Sequence, residues 1–184
     1  LLSMNGDAHK RHRRLVSAPF QKRSIALYRQ AVVAMTSQML DDWQVGQVRN
    51  LGQELSELML RLTSTLLFGF DEADLSLEIG HLMAHWASLN HRLGLSIFIP
   101  SEDFIDEYQE LLTVSDHLEA LVLQMIASRR AQRSTGDDVL SILLRTHDAE
   151  GALTAEELIG QTNVLSGDAH RTTATSMTGI LRPL

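Results

Sequence analysis

Apolar residues recur every three or four positions along almost the whole chain, which is the spacing of one face of an α-helix. Glycine, proline and short polar runs interrupt this pattern and mark the ends of the predicted helices. No segment shows the alternation of a β-strand, and no internal repeat is present, so the pattern predicts an all-α chain. The predicted helical segments are residues 9–18, 22–43, 51–68, 71–93, 102–133 and 137–147, followed by a long last helix.

The last helix has the clearest predicted start. Thr154 is a typical N-cap, and Glu157 stands three residues later, where it completes a capping box. Leu153 and Leu158 have the spacing of a hydrophobic staple around that cap. The helix is predicted to continue to about Leu181, which makes it roughly 40 Å long at about 1.5 Å per residue.

The predicted core-facing stripe of this last helix is unusual, because small and hydroxylated side chains occupy it. One interpretation is a helix crossing in which Thr172 bonds the carbonyl of Asp168, one turn back. The other is a groove where a ligand approaches the backbone near Gly167 and Ala169. Taken alone, the stretch favours the helix crossing. The stripe comprises Leu158, Thr162, Leu165, Ala169, Thr172 and Ser176.

The composition is that of one globular domain, with 184 residues, 44% hydrophobic and 21% charged. A formal net charge of -7 argues against general nucleic-acid binding. No apolar run approaches the roughly 20 residues of a membrane span, and the first residues do not have the pattern of a signal peptide, so a cytoplasmic location is expected. The chain has no cysteine, which excludes disulfides, thiolate metal ligands and a cysteine nucleophile within it.

A basic run at residues 9–14 interrupts this acidic composition. His9 and Arg13 are four residues apart, so on a helix they share a face and can hold an anionic group together, with Arg13 able to pair bidentately with a carboxylate. Lys10, Arg11 and Arg14 are expected on an exposed cationic surface. Taken alone, a charge run of this kind favours a solvated face.

The basic run and the polar stripe, with about 160 residues of predicted helices between them, resemble the middle of a bacterial-type cytochrome P450, the haem-thiolate monooxygenase family. The H-x-x-x-R pattern in HKRHRRLVSAPF is similar to helix C of that family. The stretch DAHRTT is similar to the family's helix I pattern of Ala/Gly-Gly-x-Asp/Glu-Thr-Thr/Ser. The order of the intervening landmarks also agrees, namely LLFGFD, MIASRRAQRSTGDDVLSILL and DAEGALTAEELIGQTNVL.

The resemblance implies a role for each matching residue. His9 and Arg13 would pair with the haem propionates, and Thr172 would supply a hydrogen bond and protons during cleavage of O2. Leu165 would be a wall of the substrate pocket. The remaining implied site residues are Asp168 and Ala169 beside the cofactor, with Ala169 also lining the pocket, and Arg171 and Thr173 beside Thr172.

Three positions depart from the family pattern. Arg171 stands at the acidic position that helps relay protons, Asp168 stands where a small residue is expected, and Ala169 replaces the groove glycine. Proton delivery is therefore the step most affected. After Met177 the expected apolar continuation becomes GILRPL, whose glycine and proline are unfavourable in a helix interior.

The implied function is insertion of one oxygen atom of O2 into a small organic substrate, with electrons from a ferredoxin- or flavodoxin-type donor. The parent fold would be mainly α with small β-sheets. Residues 1–184 would be one incomplete domain that runs from helix C to helix I and lacks the Glu-x-x-Arg helix and the cysteine loop that ligates iron. We therefore expect the isolated chain to be inactive. Its start without Met and its GILRPL end suggest a piece of a longer protein.

Two alternatives come from other functional classes. In one, the chain is a non-enzymatic helical interaction protein whose residues 9–14 bind an acidic partner. In the other, Glu78, His81 and His85 form part of a carboxylate and histidine metal site in a helical bundle, because Glu-x-x-His is the half-site of di-metal bundles. No second Glu-x-x-His occurs in the sequence, which disfavours the metal site.

Overall fold

The computed structural model describes residues 4–96, 104–132, 135–148 and 151–181, with side chains at all of these positions except 96, 147–148 and 167–171. The fold is helical, as the apolar spacing predicts. The elements are α1 (Gly6–Val16), a short 3-10 turn (Ala18–Phe20), α2 (Lys22–Asp41), α3 (Leu51–Phe68), α4 (Ala73–Ser96), α5 (Phe104–Ala131), α6 (Val139–Arg145), β1 (His147–Asp148), β2 (Gly151–Ala152) and α7 (Ala155–Leu181).

Local capping groups set several of these helix boundaries. The Asn50 side chain accepts a hydrogen bond from the Gln53 backbone N–H at the start of α3. At the start of α7 the predicted capping box is present: the Thr154 N–H donates to Glu157 Oε2 at 2.7 Å, and the Glu157 N–H donates to Thr154 Oγ1 at 3.1 Å. Helix α3 ends at Gly69, whose φ of 80° favours glycine. These boundaries are therefore local properties of the sequence.

Helix α3 lies at the centre of the packing. It contacts α7 and α4 most extensively, while α5 packs against α4. The main apolar core joins α1, α3, α4, α5, α6 and α7, and burial of its side chains is the principal stabilising contribution. Its largest fully buried members include Leu15, Phe68, Ile79, Leu118, Met125, Leu140, Leu143 and Leu158.

A buried arginine ties three of these elements together near Gly69. Arg129 of α5 donates from Nη1 to Asp71 Oδ2 at 2.9 Å and from Nη2 to the Phe68 carbonyl at 2.6 Å. A Cβ at Gly69 would lie 3.0 Å from Arg129 Nη2 and 3.2 Å from Asp138 Oδ2, so only glycine fits between them. Because Asp138 also caps α6, this cluster sets the relation of α3, α5 and α6.

Helix α2 is peripheral, and only part of its apolar surface is covered. Met35 and Met39 are half-buried and line a groove toward α3. Ile25 and Val32 are 53% and 40% exposed, so the described residues leave much of their apolar surface uncovered. The spacing of apolar residues identifies helix faces but does not identify their neighbours.

A short antiparallel pair of strands, β1 and β2, was not predicted. His147 pairs with Ala152 and Asp148 with Gly151. Strands of two residues are too short to produce an alternating pattern, so no sequence signal was available. The pair precedes α7 and brings the Gly151 carbonyl near Arg11 of α1, where the Nη2 to O distance is 3.3 Å.

Within the described ranges, no helix combines the length and the apolar character that crossing a membrane requires.

Candidate functional site

The side chains of the basic run of α1 point in two directions. Arg11 and His12 face the start of α7, where His12 Nε2 lies 3.0 Å and Arg11 Nη1 lies 3.8 Å from Glu157 Oε1. The expectation that Arg11 is exposed on a cationic surface was therefore wrong, because its side chain is largely buried against Glu157 and β2. Lys10 is exposed and pairs with Asp7 at 3.0 Å.

His12 is the most buried polar group of α1, with 4% exposure. Its Nδ1 lies 3.2 Å from the Gln161 side-chain nitrogen, which is a donor, while its Nε2 faces the Glu157 carboxylate. Gln161 is therefore placed to donate to Nδ1, and Nε2 is placed to donate to the Glu157 carboxylate. His12 and Gln161 were not among the predicted site residues. The available signal was that His12 precedes Leu15 and Val16 by three and four positions and so shares the apolar face of α1.

Glu157 is the acceptor common to the helix cap and to α1. The hydrogen bond from the Thr154 backbone N–H is the main reason that the pKa of Glu157 is lowered from its ordinary value of 4.5. Burial acts in the opposite direction, and the charges of His12 and Arg11 lower the pKa further. The carboxylate is thus held ionised at the junction of α1 and α7.

His9 and Arg13 lie on the other side of the buried stripe of α1. Both belong to one continuous helix, so their four-residue spacing places them on the same face, as predicted. His9 is half-buried and Arg13 is exposed. Neither side chain forms a hydrogen bond or ion pair with the described part of the chain, in contrast to Lys10, Arg11 and His12.

The polar stripe of α7 is buried in its first half only. Thr162 is fully buried and its hydroxyl donates to the carbonyls of Leu158 and Ile159, both at 2.9 Å. Leu165 is half-buried and its neighbour Ser166 is buried, but among the described side chains farther along, Ala174 is buried while Thr172 and Ser176 are exposed. The expectation that the whole stripe meets the core of this chain was therefore wrong.

The predicted catalytic threonines at the end of that stripe lie on the exposed side of α7. Thr172 and Thr173 are both exposed, and the Ser176 hydroxyl donates to the Thr172 carbonyl at 2.8 Å. The side chains of Asp168, Ala169 and Arg171 lie outside the described residues. Thr172 is 11 residues beyond Gln161, which corresponds to about 16 Å along the helix axis.

Two of the three candidate metal ligands of α4, Glu78 and His85, form separate surface pairs with α5. His85 Nε2 lies 2.8 Å from Glu110 Oε1, and Glu78 Oε1 lies 4.0 Å from His117 Nε2. In the part of the chain that the structure describes, no three histidine or acidic side chains are grouped closely enough to hold a metal ion. The geometry therefore gives the metal-site alternative no support.

Comparison with known proteins connects the two segments of the site. The family model for cytochrome P450 matches residues 1–184, which is the whole chain. The chain belongs to the cytochrome P450 family. Haem is the cofactor of this family, and the alternative of a non-enzymatic helical protein is no better supported by any relative.

Curated P450 relatives are similar over nearly all of this chain. Cytochrome P450 138 of Mycobacterium tuberculosis is 25% identical over 182 residues, covering 96% of this chain and 41% of the relative. The P450 monooxygenase PikC of Streptomyces venezuelae is 27% identical over 180 residues, covering 94% of this chain and 38% of PikC. The chain thus spans about two fifths of the length of the P450 relatives that it matches.

Solved P450 structures show the same fold. The retinoic acid-bound cyanobacterial CYP120A1 aligns with a TM-score of 0.76 at 20% identity, covering 96% of this chain and 39% of that protein. The structure of CYP109E1 from Bacillus megaterium in complex with testosterone aligns with a TM-score of 0.72 at 20% identity, covering 94% and 43%. The predicted fold class, the helical part of the P450 fold, is confirmed.

Proposed function

We propose that this chain is part of a haem-dependent monooxygenase that inserts one oxygen atom of O2 into a small organic substrate, and that it supplies one wall of the haem site. The match to the P450 family over the whole chain supports the reaction class. PikC is described as a monooxygenase, and another relative, from Oryza sativa, is an abscisic acid 8'-hydroxylase. Both names describe oxygen insertion into organic molecules.

The observation that carries the proposal is that the side chains of His9 and Arg13 have no polar partner in the described chain. A haem group presents two propionate carboxylates, and a cationic side chain that is already paired within the protein is a poor partner for them. Arg11 and His12 are held by Glu157, and Lys10 is held by Asp7. His9 and Arg13 share a face of α1 and make no polar contact in the described chain, so they fit two carboxylates.

Haem would supply the oxidising centre when it is bound. The chain's own residues would then shape the oxygen side of the site. The hydroxyl of Thr172, an exposed residue, would donate a hydrogen bond and pass a proton through its Oγ1 atom, with Thr173 beside it. Leu165 and Ala169 would exclude water and contact the substrate.

Arg171 would change the proton route, because it occupies the position where the family has an acid. A guanidinium does not release its proton in proteins, so it can orient water but cannot relay a proton itself. We propose that Asp168, the carboxylate closest to Thr172 in the sequence and one helical turn before it, takes that part. Replacing Asp168 with Asn in an assembled enzyme should then slow turnover more than Thr173→Ala does.

The chain by itself should not behave as a haem-thiolate enzyme. The thiolate ligand favours cleavage of the O–O bond, and these 184 residues contain no cysteine. With added haemin, reductant and carbon monoxide, the purified chain should show the spectrum of a histidine- or water-ligated haem. A stable thiolate-type band without added thiol would contradict this expectation.

Haemin titration tests the role of the α1 pair. The wild-type chain should bind haemin saturably, and His9→Ala and Arg13→Ala should each weaken binding about three- to tenfold, as for loss of one partly exposed charge-assisted contact. Lys10→Ala is the matched control, since Lys10 lies on the same helix and is already paired with Asp7. Absence of saturable binding, or equal effects of all three substitutions, would contradict the assignment.

The electron donor and the cellular location stay predictions. A ferredoxin- or flavodoxin-type donor in the cytoplasm would be attracted by cationic side chains on an acidic protein. Lys10 and Arg14 are exposed and remain candidates for that surface, whereas Arg11 is not. Charge reversal at Arg14 in an assembled enzyme should slow reduction and flatten its dependence on salt, while unchanged kinetics would contradict a docking role.

A further inference from the structure

We propose that His12, Glu157 and Gln161 form a positioning cluster that fixes α1 to the start of α7 and thereby holds His9 and Arg13 in place for the haem propionates. The inference rests on the proposed haem-binding role of His9 and Arg13. The three cluster residues would contact no haem or substrate themselves. Their effect would be exerted through the orientation of α1.

The first argument concerns the hydrogen-bonding capacity of the His12 ring. Both ring nitrogens are engaged, Nε2 with Glu157 Oε1 at 3.0 Å and Nδ1 with the Gln161 amide at 3.2 Å. His12 and Gln161 are 4% and 2% exposed, so water cannot replace either contact without opening the junction. A buried polar group that loses its partner is costly, and this cost disfavours other arrangements of the two helices.

The second argument is that one carboxylate serves both helices. Glu157 Oε2 accepts the Thr154 backbone N–H and closes the first turn of α7, while Oε1 accepts from His12 of α1. The position of the Glu157 side chain is therefore fixed by its own helix before α1 is considered. A rigid acceptor makes the link to His12 directional.

The third argument concerns the rotation of α1 about its own axis. The buried residues of α1 are His12, Leu15 and Val16. The contacts of Leu15 and Val16 are apolar and hence non-directional, so they tolerate small rotations. The hydrogen bonds of His12 are directional, so they do not tolerate such rotations. His9 lies one turn before His12 and Arg13 is its neighbour, so any rotation of α1 moves both propionate ligands.

The position of the helices can be measured without haem. Because the chain has no native cysteine, Lys10→Cys and Thr175→Cys place two spin labels on exposed sites of α1 and α7 without further changes. Pulsed dipolar spectroscopy should give a narrow distance distribution in the otherwise unchanged chain. His12→Ala should broaden it, and His12→Gln, which keeps an N–H for Glu157, should narrow it again in part.

The matched control is Thr154→Ala. It removes the cap hydroxyl that accepts the Glu157 N–H at 3.1 Å and weakens the same end of α7, but it leaves the His12 contacts intact. We expect the distance distribution of Thr154→Ala to stay narrow. Equal broadening in Thr154→Ala and His12→Ala would mean that general loss of stability is responsible, and it would overturn the proposal.

Haemin affinity connects the cluster to the site. His12→Ala should weaken haemin binding about fivefold or more although His9 and Arg13 are intact, because two anchoring side chains are no longer preorganised. Thr154→Ala should leave the affinity nearly unchanged, and His12→Gln should restore part of the loss. Broadened distances in His12→Ala with unchanged haemin affinity would overturn the positioning role while leaving the proposed function intact.

Failure of the proposed function gives a different result. In that case His9→Ala and Arg13→Ala would themselves leave haemin binding unchanged, whatever His12 does. A narrow distance distribution in His12→Ala would overturn the structural link directly.

Discussion

Gly80→Ala tests a close contact between α3 and α4. Gly80 of α4 faces α3, where an added Cβ would overlap Ser64 Oγ and lie 3.2 Å from Ser64 Cβ and 3.5 Å from Leu60 Cδ1. Ser64 is buried, so it cannot turn outward into water. Alanine gains about 1 kcal/mol of helix propensity over glycine, whereas overpacking a close contact costs about 1–3 kcal/mol. The expected net effect is a loss of stability of up to about 2 kcal/mol.

The matched control lies in the same helix. A Cβ at Gly94 has no neighbour within 4 Å among the residues that the structure describes, so Gly94→Ala should stabilise the chain by about 0.5–1 kcal/mol. Urea unfolding followed by circular dichroism measures both variants. Ser64→Ala should partly rescue Gly80→Ala, because it removes the overlapping hydroxyl, which has no hydrogen-bond partner in the described chain. A Gly80→Ala variant as stable as Gly94→Ala would refute the close packing of α3 and α4.

Three further predictions concern charged and titrating groups. Arg129→Met should destabilise the chain by about 2–3 kcal/mol in urea unfolding, because it removes the buried donor of the α3 terminus, whereas the exposed neighbour Arg130→Met should have little effect. Burial and two nearby aspartates raise the pKa of Tyr28 to about 12. In a Tyr108→Phe chain the tyrosinate absorbance should therefore appear near pH 12, and the stability of the chain should fall as pH rises from 10 toward 12. A titration midpoint near pH 10 would contradict this prediction. The lowered pKa of Glu157 contributes stability that is complete above pH 4.5 and is lost as pH falls below that value. Glu157→Gln should therefore make the free energy of unfolding less dependent on pH in the acidic range. An unchanged dependence of the unfolding free energy on pH would contradict this prediction.

The helices were predictable because their signals are local. The Thr154 and Glu157 capping box lies within four residues, and Gly69 ends α3 through its own backbone conformation. The four-residue spacing of His9 and Arg13 placed them on one face for the same reason. Each of these features is complete within one or two helical turns of sequence.

The features that were missed depend on contacts between distant parts of the chain. His12 and Gln161 are 149 positions apart, so no local pattern links them. Arg11 was expected on the surface because a basic run resembles a solvated face, but Glu157 lies beside it in the fold. The burial of the α7 stripe changes after Leu165 for a similar reason, since the neighbours of α7 differ along its length.

Paramagnetic broadening by bound haemin tests most directly whether α7 forms a wall of the haem site. In a chain labelled at threonine methyl groups, the unpaired electrons of haemin iron broaden nearby signals, and diamagnetic zinc protoporphyrin provides the control. We predict that Thr172 and Thr173 broaden at low haemin ratios while Thr113 of α5, which is also exposed, does not. Equal broadening of Thr113, or unbroadened signals from Thr172 and Thr173 with haemin bound, would contradict the proposed site.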